Sequence, residues 1–231
     1  MNDMFVSSAY FGVVLSLAAY GAGTLIRKKF KKGFLNPLLI ATALTISVLV
    51  FSEISYETYY ASANLLSWLL TPATVCLAVP LYEKIQILKD NRKAVIAGIV
   101  SGVIASMFSV LVMSWIFRLD HEEYVTFLPK SVTTAIGIGI SEELGGYQTI
   151  TAAAIIITGV LGNVAAPFIC RIAGITEPIA VGIAIGSSSH AVGTARAMEM
   201  GETEGAMSSL SIAVSGLLTV VASSVFSLFY T

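Results

Sequence analysis

Phe127-Leu128-Pro129-Lys130-Ser131-Val132-Thr133-Thr134-Ala135-Ile136-Gly137 is the stretch on which the reading of this chain turns. Its surroundings are apolar and long enough to lie in a bilayer, yet it holds a proline, a lysine, three hydroxyls and a closing glycine. In hydrocarbon, broken backbone is tolerated only where it is buried in protein or lines a wet cavity. An ionisable residue at membrane depth marks a functional site. The stretch reads as half of a binding site for a small anion.

Composition supports a membrane setting. Of 231 residues, 56% are hydrophobic and 12% charged, against about 25% charged in soluble domains; the mean hydropathy is +0.85. The chain is expected to be an all-α polytopic membrane protein forming a single domain over residues 1–231. A net charge of -1 gives no pull toward nucleic acid. Cys76 and Cys170 lie in apolar segments, form no metal or redox motif, and read as small buried side chains. Residues 1–4 lack a basic region of the kind that opens a cleaved signal.

A spanning helix needs about 20 apolar residues. Eight segments are expected, at about 5–26, 37–51, 61–82, 94–117, 124–141, 148–168, 178–196 and 206–230. The third is interrupted at Pro72 and Pro80, the fifth at Pro129 and Gly137, and the seventh between Gly186 and Gly193. The connecting loops are expected at residues 53–60, 83–93, 118–123, 142–146, 171–177 and 199–205. Eight crossings with both termini outside put Arg27, Lys28, Lys29, Lys31, Lys32, Lys84, Lys89, Arg92, Lys93 and Arg196 on the cytoplasmic side. Only Arg118 and Arg171 then face outward, a clear positive-inside bias that would survive if a broken segment were re-entrant. Gly98-x-x-x-Gly102 in the fourth segment reads as a helix-packing motif.

The broken segments show self-similarity. Ala78-Val79-Pro80 recurs 57 residues later as Ala135-Ile136-Gly137, and again 56 later as Ala191-Val192-Gly193. Pro72 maps onto Pro129 and Gly102 onto Gly159 at the same shift of 57. Each unit is one broken segment followed by one ordinary span, and repeated broken helices meeting near the midplane are a common transporter design. Parallel and inverted repeats both fit this pattern.

By this layout every Asp and Glu falls in a loop or at a span end. The broken segments offer instead Lys130, His190, Ser131, Thr133, Thr134, Ser187, Ser188, Ser189 and Thr194, with Asn163 in the sixth span and Arg196 at an inner end. One ammonium, hydroxyl donors and half-helix N-termini suit a small carboxylate. Duller readings stand beside this. Lys130 can snorkel to the outer headgroups, and His190 can pack against a backbone carbonyl. The hydroxyls can satisfy backbone freed at the breaks, Arg196 can anchor topology, and Asn163 can join two helices. No nucleophile–base pair, metal box or nucleotide loop is present, so no enzyme activity and no cofactor is expected.

Several runs resemble the LrgB/CidB membrane family. They are Asn36-Pro37-Leu38-Leu39, Ile54-Ser55-Tyr56-Glu57-Thr58-Tyr59, the stretch from Leu70-Thr71-Pro72-Ala73 to Pro80-Leu81-Tyr82, LPKSVTTAI at 128–136 and GSSSHAVGTARAME at 186–199. The resemblance implies a bacterial inner-membrane protein working beside a small LrgA/CidA-type membrane partner. It carries two functional expectations. One is transport of small 2-oxo- and hydroxy-carboxylates: pyruvate in bacteria, glycolate and glycerate for the related plastid protein. The other is a holin/antiholin-like regulator of murein hydrolase export and cell lysis. A bundle of this size suits a homodimer.

Overall fold

The computed structural model describes residues 8, 10–30, 37–69, 72, 75, 76 and 78–230, and among these it is helical without strands. Two compact units divide the chain, Met1–Cys76 and Leu77–Thr231. In the first, α1 (Phe11–Phe30) packs on α2 (Pro37–Phe51) and on α3 (Tyr56–Trp68). Gly12 makes the close approach to α3: a Cβ there would fall 2.6 Å from the Tyr59 carbonyl oxygen, and its N–H donates to Ser62 Oγ at 2.8 Å. Ser55 caps α3 by accepting from the Thr58 N–H, satisfying one of the orphan donors of its first turn.

The second unit runs through α4 (Ala78–Glu83), α5 (Ile85–Asp90), α6 (Arg92–Phe117), α7 (His121–Phe127), α8 (Thr134–Glu143), α9 (Gln148–Ile172), α10 (Pro178–Met200) and α11 (Glu202–Phe226), closing on a 3₁₀ turn at Ser227–Phe229. Among the described residues, three helices are long and apolar enough to cross a membrane: Arg92–Phe117, Gln148–Ile172 and Glu202–Phe229. Pro37–Phe51 is a shorter apolar helix. We call the end of the second unit where α6 begins the near face, and the end where it finishes the far face.

The fifth and seventh segments do not run from face to face. Asp120 and Glu123 form a capping box that starts α7 at the far face. The chain breaks at residues 128–133 and returns as α8. Its return is fixed by α9: the Tyr147 N–H donates to Thr126 Oγ1 at 2.7 Å, Thr151 Oγ1 donates to the Thr126 carbonyl at 2.9 Å, and the Tyr147 hydroxyl donates to Glu122 at 2.8 Å. Both limbs therefore start and end at the far face, while the tip touches Ser106 halfway along α6. From Ser106 to the two ends of α6 is about 21 Å and about 16 Å at 1.5 Å per residue. We call this element the first hairpin.

The second hairpin is α10 itself, broken at Ser189 (φ -134°, ψ 15°) and His190 (φ 41°, ψ -143°). Gly182 and Gly186 lie on Glu204 and Ser208 of α11, so its outward limb runs beside α11 in the same direction. Thr194 then bonds Ser208 at 2.7 Å, and Met198 lies against Gly205, so the second limb retraces the path. The base lies at the near face, where Gly201 alone separates α10 from α11. Lys84 pairs there with Glu202 at 2.8 Å, and that carboxylate raises the Lys84 ammonium above the ordinary lysine value.

The five crossings expected in the second unit, the fourth to the eighth, are thus replaced by three long helices and two hairpins entering from opposite faces. The reason is physical: a chain reversed at a break shows the same apolar length as one that continues. The remaining breaks shift as well. Pro129 does lie in the first break, but Gly137 is inside α8, packed under Ile155. Gly186 and Gly193 are helical and serve close packing on either side of the true break. Pro80 is the third residue of α4, where its missing N–H costs no helical bond. Pro72 is helical between neighbours, Thr71 and Ala73, that lie outside the described residues, as do Lys31, Lys32, Asn36 and Leu70. The described residues of the expected third segment include the end of α3, helical positions at 72, 75 and 76, and most of α4, and the expected loops at 83–93 and 199–205 are largely helical. Ala135-Ile136-Gly137 and Ala191-Val192-Gly193 both open the return limb of a hairpin. The second repeat therefore enters from the opposite face to the first.

This topology sets a direct labelling result. Cysteines replacing Glu122 and Glu143 should react with an impermeant maleimide from one and the same side of oriented vesicles, and cysteines replacing Glu177 and Glu202 from the other. An eight-crossing chain would place positions 122 and 143 on opposite sides.

Candidate functional site

A cavity of about 960 Å³ runs from the near face into the middle of the second unit. At the near end it is lined by Asn91 and Glu177, along its walls by Gly98, Gly102, Leu161 and Ile183 among others, and at depth by Ser106, Lys130, Ser131 and Ser187 to Ser189. At about 30 Å³ per water, its volume is that of roughly 30 waters, ample for a small solute with part of its hydration shell. The tips of both hairpins form its deep end.

Lys130 belongs to the first tip. Its Nζ donates to Ser131 Oγ at 3.1 Å and to Ser106 Oγ at 3.4 Å, and the two hydroxyl oxygens are 2.9 Å apart. The side chain therefore turns into the cavity and not toward a headgroup. An ammonium has three donors, and these bonds engage two of them. Only one hydroxyl proton is needed between Ser106 and Ser131, so the other is available as well. Among the described residues, no carboxylate lies within ion-pair distance of Lys130.

The second tip is differently employed. Ser187 Oγ donates to the Ile183 carbonyl at 2.7 Å and Ser188 Oγ to the Ala184 carbonyl at 2.7 Å, while Ser188 and Ser189 are 3.0 Å apart. Hydroxyls bonded back to their own helix keep chiefly lone pairs for the cavity.

The other sequence candidates do not line this cavity. His190 is buried with Nε2 2.9 Å from the Ile155 carbonyl oxygen. Its positive φ is uncommon outside glycine, and Gly159 and Gly162 of α9 leave room for the break, since a Cβ at Gly159 would fall 2.5 Å from His190 Cε1. Asn163 donates to the Val192 carbonyl at 2.7 Å, Thr194 ties α10 to α11, and Arg196 pairs with Glu199 at 2.6 Å. Thr133 caps α8 by position without a side-chain bond, and Thr134 is its first residue; both are half-buried. The residue that sequence reading missed is Ser106. Its signal was there: Gly98, Gly102 and Ser106 lie four apart on one helix face, the third position exchanging a small residue for a hydroxyl.

Long apolar helices around two opposed re-entrant hairpins, with a half-depth cavity between them, define a polytopic helical membrane protein. The chain belongs to the LrgB-like family, whose model matches residues 16–229. It is similar to the antiholin-like protein LrgB of Bacillus cereus (strain B4264), at 38% identity over 213 residues, covering 92% of this chain and 93% of that protein. The antiholin-like protein LrgB of Bacillus anthracis (strain CDC 684 / NRRL 3495) is similar to the same extent. No solved structure matches the chain.

The contacts around the second break rank by burial. Thr194→Val leaves the fully buried Ser208 hydroxyl without its partner from α10 and should cost about 1–3 kcal/mol. Arg196→Gln removes a partly exposed i,i+3 pair and should cost less than about 1 kcal/mol. Thermal unfolding in detergent, followed by loss of the monodisperse peak, should show a clear drop for the first and little for the second.

Proposed function

We propose that this protein carries small monocarboxylates such as pyruvate, glycolate or glycerate across the bacterial cytoplasmic membrane by alternating access, facilitated or linked to protons. The observation that carries the reading is the Lys130 ammonium. It stands at the deep end of a cavity, bonded only to Ser106 and Ser131 among the contacts found, with no carboxylate partner among the described residues. A buried cation is costly alone, and a bound carboxylate would relieve that cost through charge-assisted hydrogen bonds. Ser106, Lys130 and Ser131 are the proposed anion ligands. Ser187, Ser188 and Ser189 face the rest of the solute, while His190, Asn163 and Thr194 hold the second tip in place.

The charge distribution supports an orientation. Lys84, Lys89, Arg92, Lys93, Arg171 and Arg196 cluster at the near face, against Arg118 alone at the far face beside Asp120, Glu122, Glu123, Glu142 and Glu143. The near face is then cytoplasmic, the cavity opens inward, and Tyr230 lies outside. The hairpin topology brings Arg171 to the basic side, where the eight-crossing layout had left it outside.

A second reading is favoured by the names of the relatives, antiholin-like protein LrgB: a holin/antiholin-like regulator of murein hydrolase export and cell lysis, which on the family resemblance acts with an LrgA/CidA-type partner. Reconstitution separates the two. The carrier should show saturable uptake of labelled pyruvate or glycolate without a partner. Lys130→Ala should weaken half-saturation about ten- to a hundred-fold, the worth of one charged hydrogen bond. Unsaturable leakage of large dyes, indifferent to competing carboxylates, would instead favour the lytic role. Flux appearing only with the LrgA-type protein would make this chain one half of a two-part carrier.

A further inference from the structure

The cavity has a counterpart that is shut. At a shift of 57 residues, which holds ahead of the breaks while the segments after them match at 56, Glu177 corresponds to Asp120, Ile183 to Thr126 and Gly98 to Ile155. The correspondence has a structural mark: Glu177 and Asp120 each occupy the N-cap of the outward limb of a hairpin. At the near face, the cavity runs between α6 and α9 along the outward limb of the second hairpin, to the tip of the first. Its equivalent at the far face would run between the same two helices along α7, to the tip of the second. That space is filled here. Thr126, Ile155, Thr151 and Ser141 are all buried, and Ile155 presses on Gly137.

What fills it is polar at its centre. Thr126 Oγ1 accepts from the Tyr147 N–H, Thr151 Oγ1 bonds the Thr126 carbonyl at 2.9 Å and Ser141 Oγ at 2.8 Å, and Gly146 packs directly over both Thr126 and Ser141. Three fully buried hydroxyls thus join both limbs of the first hairpin to α9. An apolar plug would close this face without them. A hydrogen-bonded cluster can be exchanged for water at small net cost, because a protein hydrogen bond is worth only about 0.5–1.5 kcal/mol over its hydrated form. On the far half of α6, beside Tyr230, Ser114 is fully buried, and its hydroxyl is the one buried side-chain oxygen without a hydrogen-bond partner among the described residues. Such a group costs about 1–3 kcal/mol while dry, a penalty that hydration would remove.

We infer that the first hairpin is the far-face gate of the carrier and that the Thr126–Ser141–Thr151 cluster is its lock. In the alternate state the cluster hydrates, α7 moves off α9, and a route lined by Phe127 and Ile155 reaches Lys130 from the far face while the near cavity closes. The inference rests on the carrier reading above.

The test uses the full chain with Cys76 and Cys170 replaced by alanine, in right-side-out and inside-out vesicles, and an impermeant maleimide as probe. Phe127→Cys and Ile155→Cys report the far route, and Ala180→Cys and Ser101→Cys the near cavity. Far-side reaction at positions 127 and 155 should rise about tenfold on adding Thr151→Val, while near-side reaction at 180 and 101 falls. Ser141→Ala should act in the same direction more weakly, and it provides the readout if Thr151→Val does not fold. Absence of far-side labelling at 127 and 155 in every background, with 180 and 101 labelled normally, would overturn the gate. So would equal labelling from both sides at once, the mark of a continuous pore. Reciprocal labelling without carboxylate uptake would count against the substrate and leave the gate standing.

Discussion

Turning a backbone around halfway through a bilayer frees amide groups that lipid cannot pair, and each one left without a partner from protein or cavity water costs about 1–3 kcal/mol. The second unit is organised around meeting that demand twice. In the first tip, the Lys130 N–H reaches the Phe127 carbonyl at 3.1 Å, the Val132 N–H the Pro129 carbonyl at 3.3 Å, and the Gly137 N–H the Thr133 carbonyl at 2.9 Å. Pro129 helps by having no N–H to satisfy. In the second tip, side chains add bonds to carbonyls of the flanking limbs. Ser187 and Ser188 bond back to the Ile183 and Ala184 carbonyls, and Asn163 bonds that of Val192. Most polar residues near the breaks therefore spend their bonding capacity on the backbone, which leaves Lys130 and its two serine partners as the group with capacity to spare.

The depth of both tips is set by one face of α6. Gly98 admits Ile183, and Gly102 admits Ser187, where a Cβ would fall 2.7 Å from the serine oxygen. One turn further, Ser106 meets Ser131 and Lys130. Two glycines let the outward limb of α10 lie close, and the hydroxyl that follows holds the opposing tip. The two hairpins thus share a rail, so a shift of either along α6 changes the room left for the other. That coupling is local and steric, and it requires no long-range pathway.

Much of this was legible in the sequence, for identifiable reasons. Helices α6 and α9 were readable because their apolar length is continuous, and the first break because Pro129 and Lys130 cannot belong to an ordinary span. The reversal at that break was not readable: residues 124–141 have the length and polarity of a crossing, and only contacts made across the fold, such as Thr126 with Tyr147, show the chain returning. The second break was bracketed by Gly186 and Gly193 but is made by neither: glycine signals both flexibility and close packing, and here both serve packing, while the bend falls between them on Ser189 and His190. The proposed site was half legible. Lys130 stood out as a charge, whereas Ser106 is one of several serines in apolar helices and gains its meaning only from what the first hairpin brings to it.

The asymmetry of the two tips bears on how a carrier of this design would move. The second tip carries Ser187, Ser188 and Ser189 and no lysine, so only the first tip holds an ammonium. A lysine on each tip would place two ammonium groups against each other in a region of low dielectric, where each carries a desolvation cost of several kcal/mol. With a single lysine, one bound monocarboxylate brings the site to zero net charge. The loaded site is then easier to pass through an occluded, dry arrangement than the empty one, because closing around an unpaired ammonium strips its water without replacing the lost interactions. On the carrier reading, occupancy and closure are linked by the charge balance at Lys130 alone. A dianion would leave the closed site with a net negative charge and forfeit that advantage, so the carrier reading expects monocarboxylates to be favoured without any steric filter in so roomy a cavity.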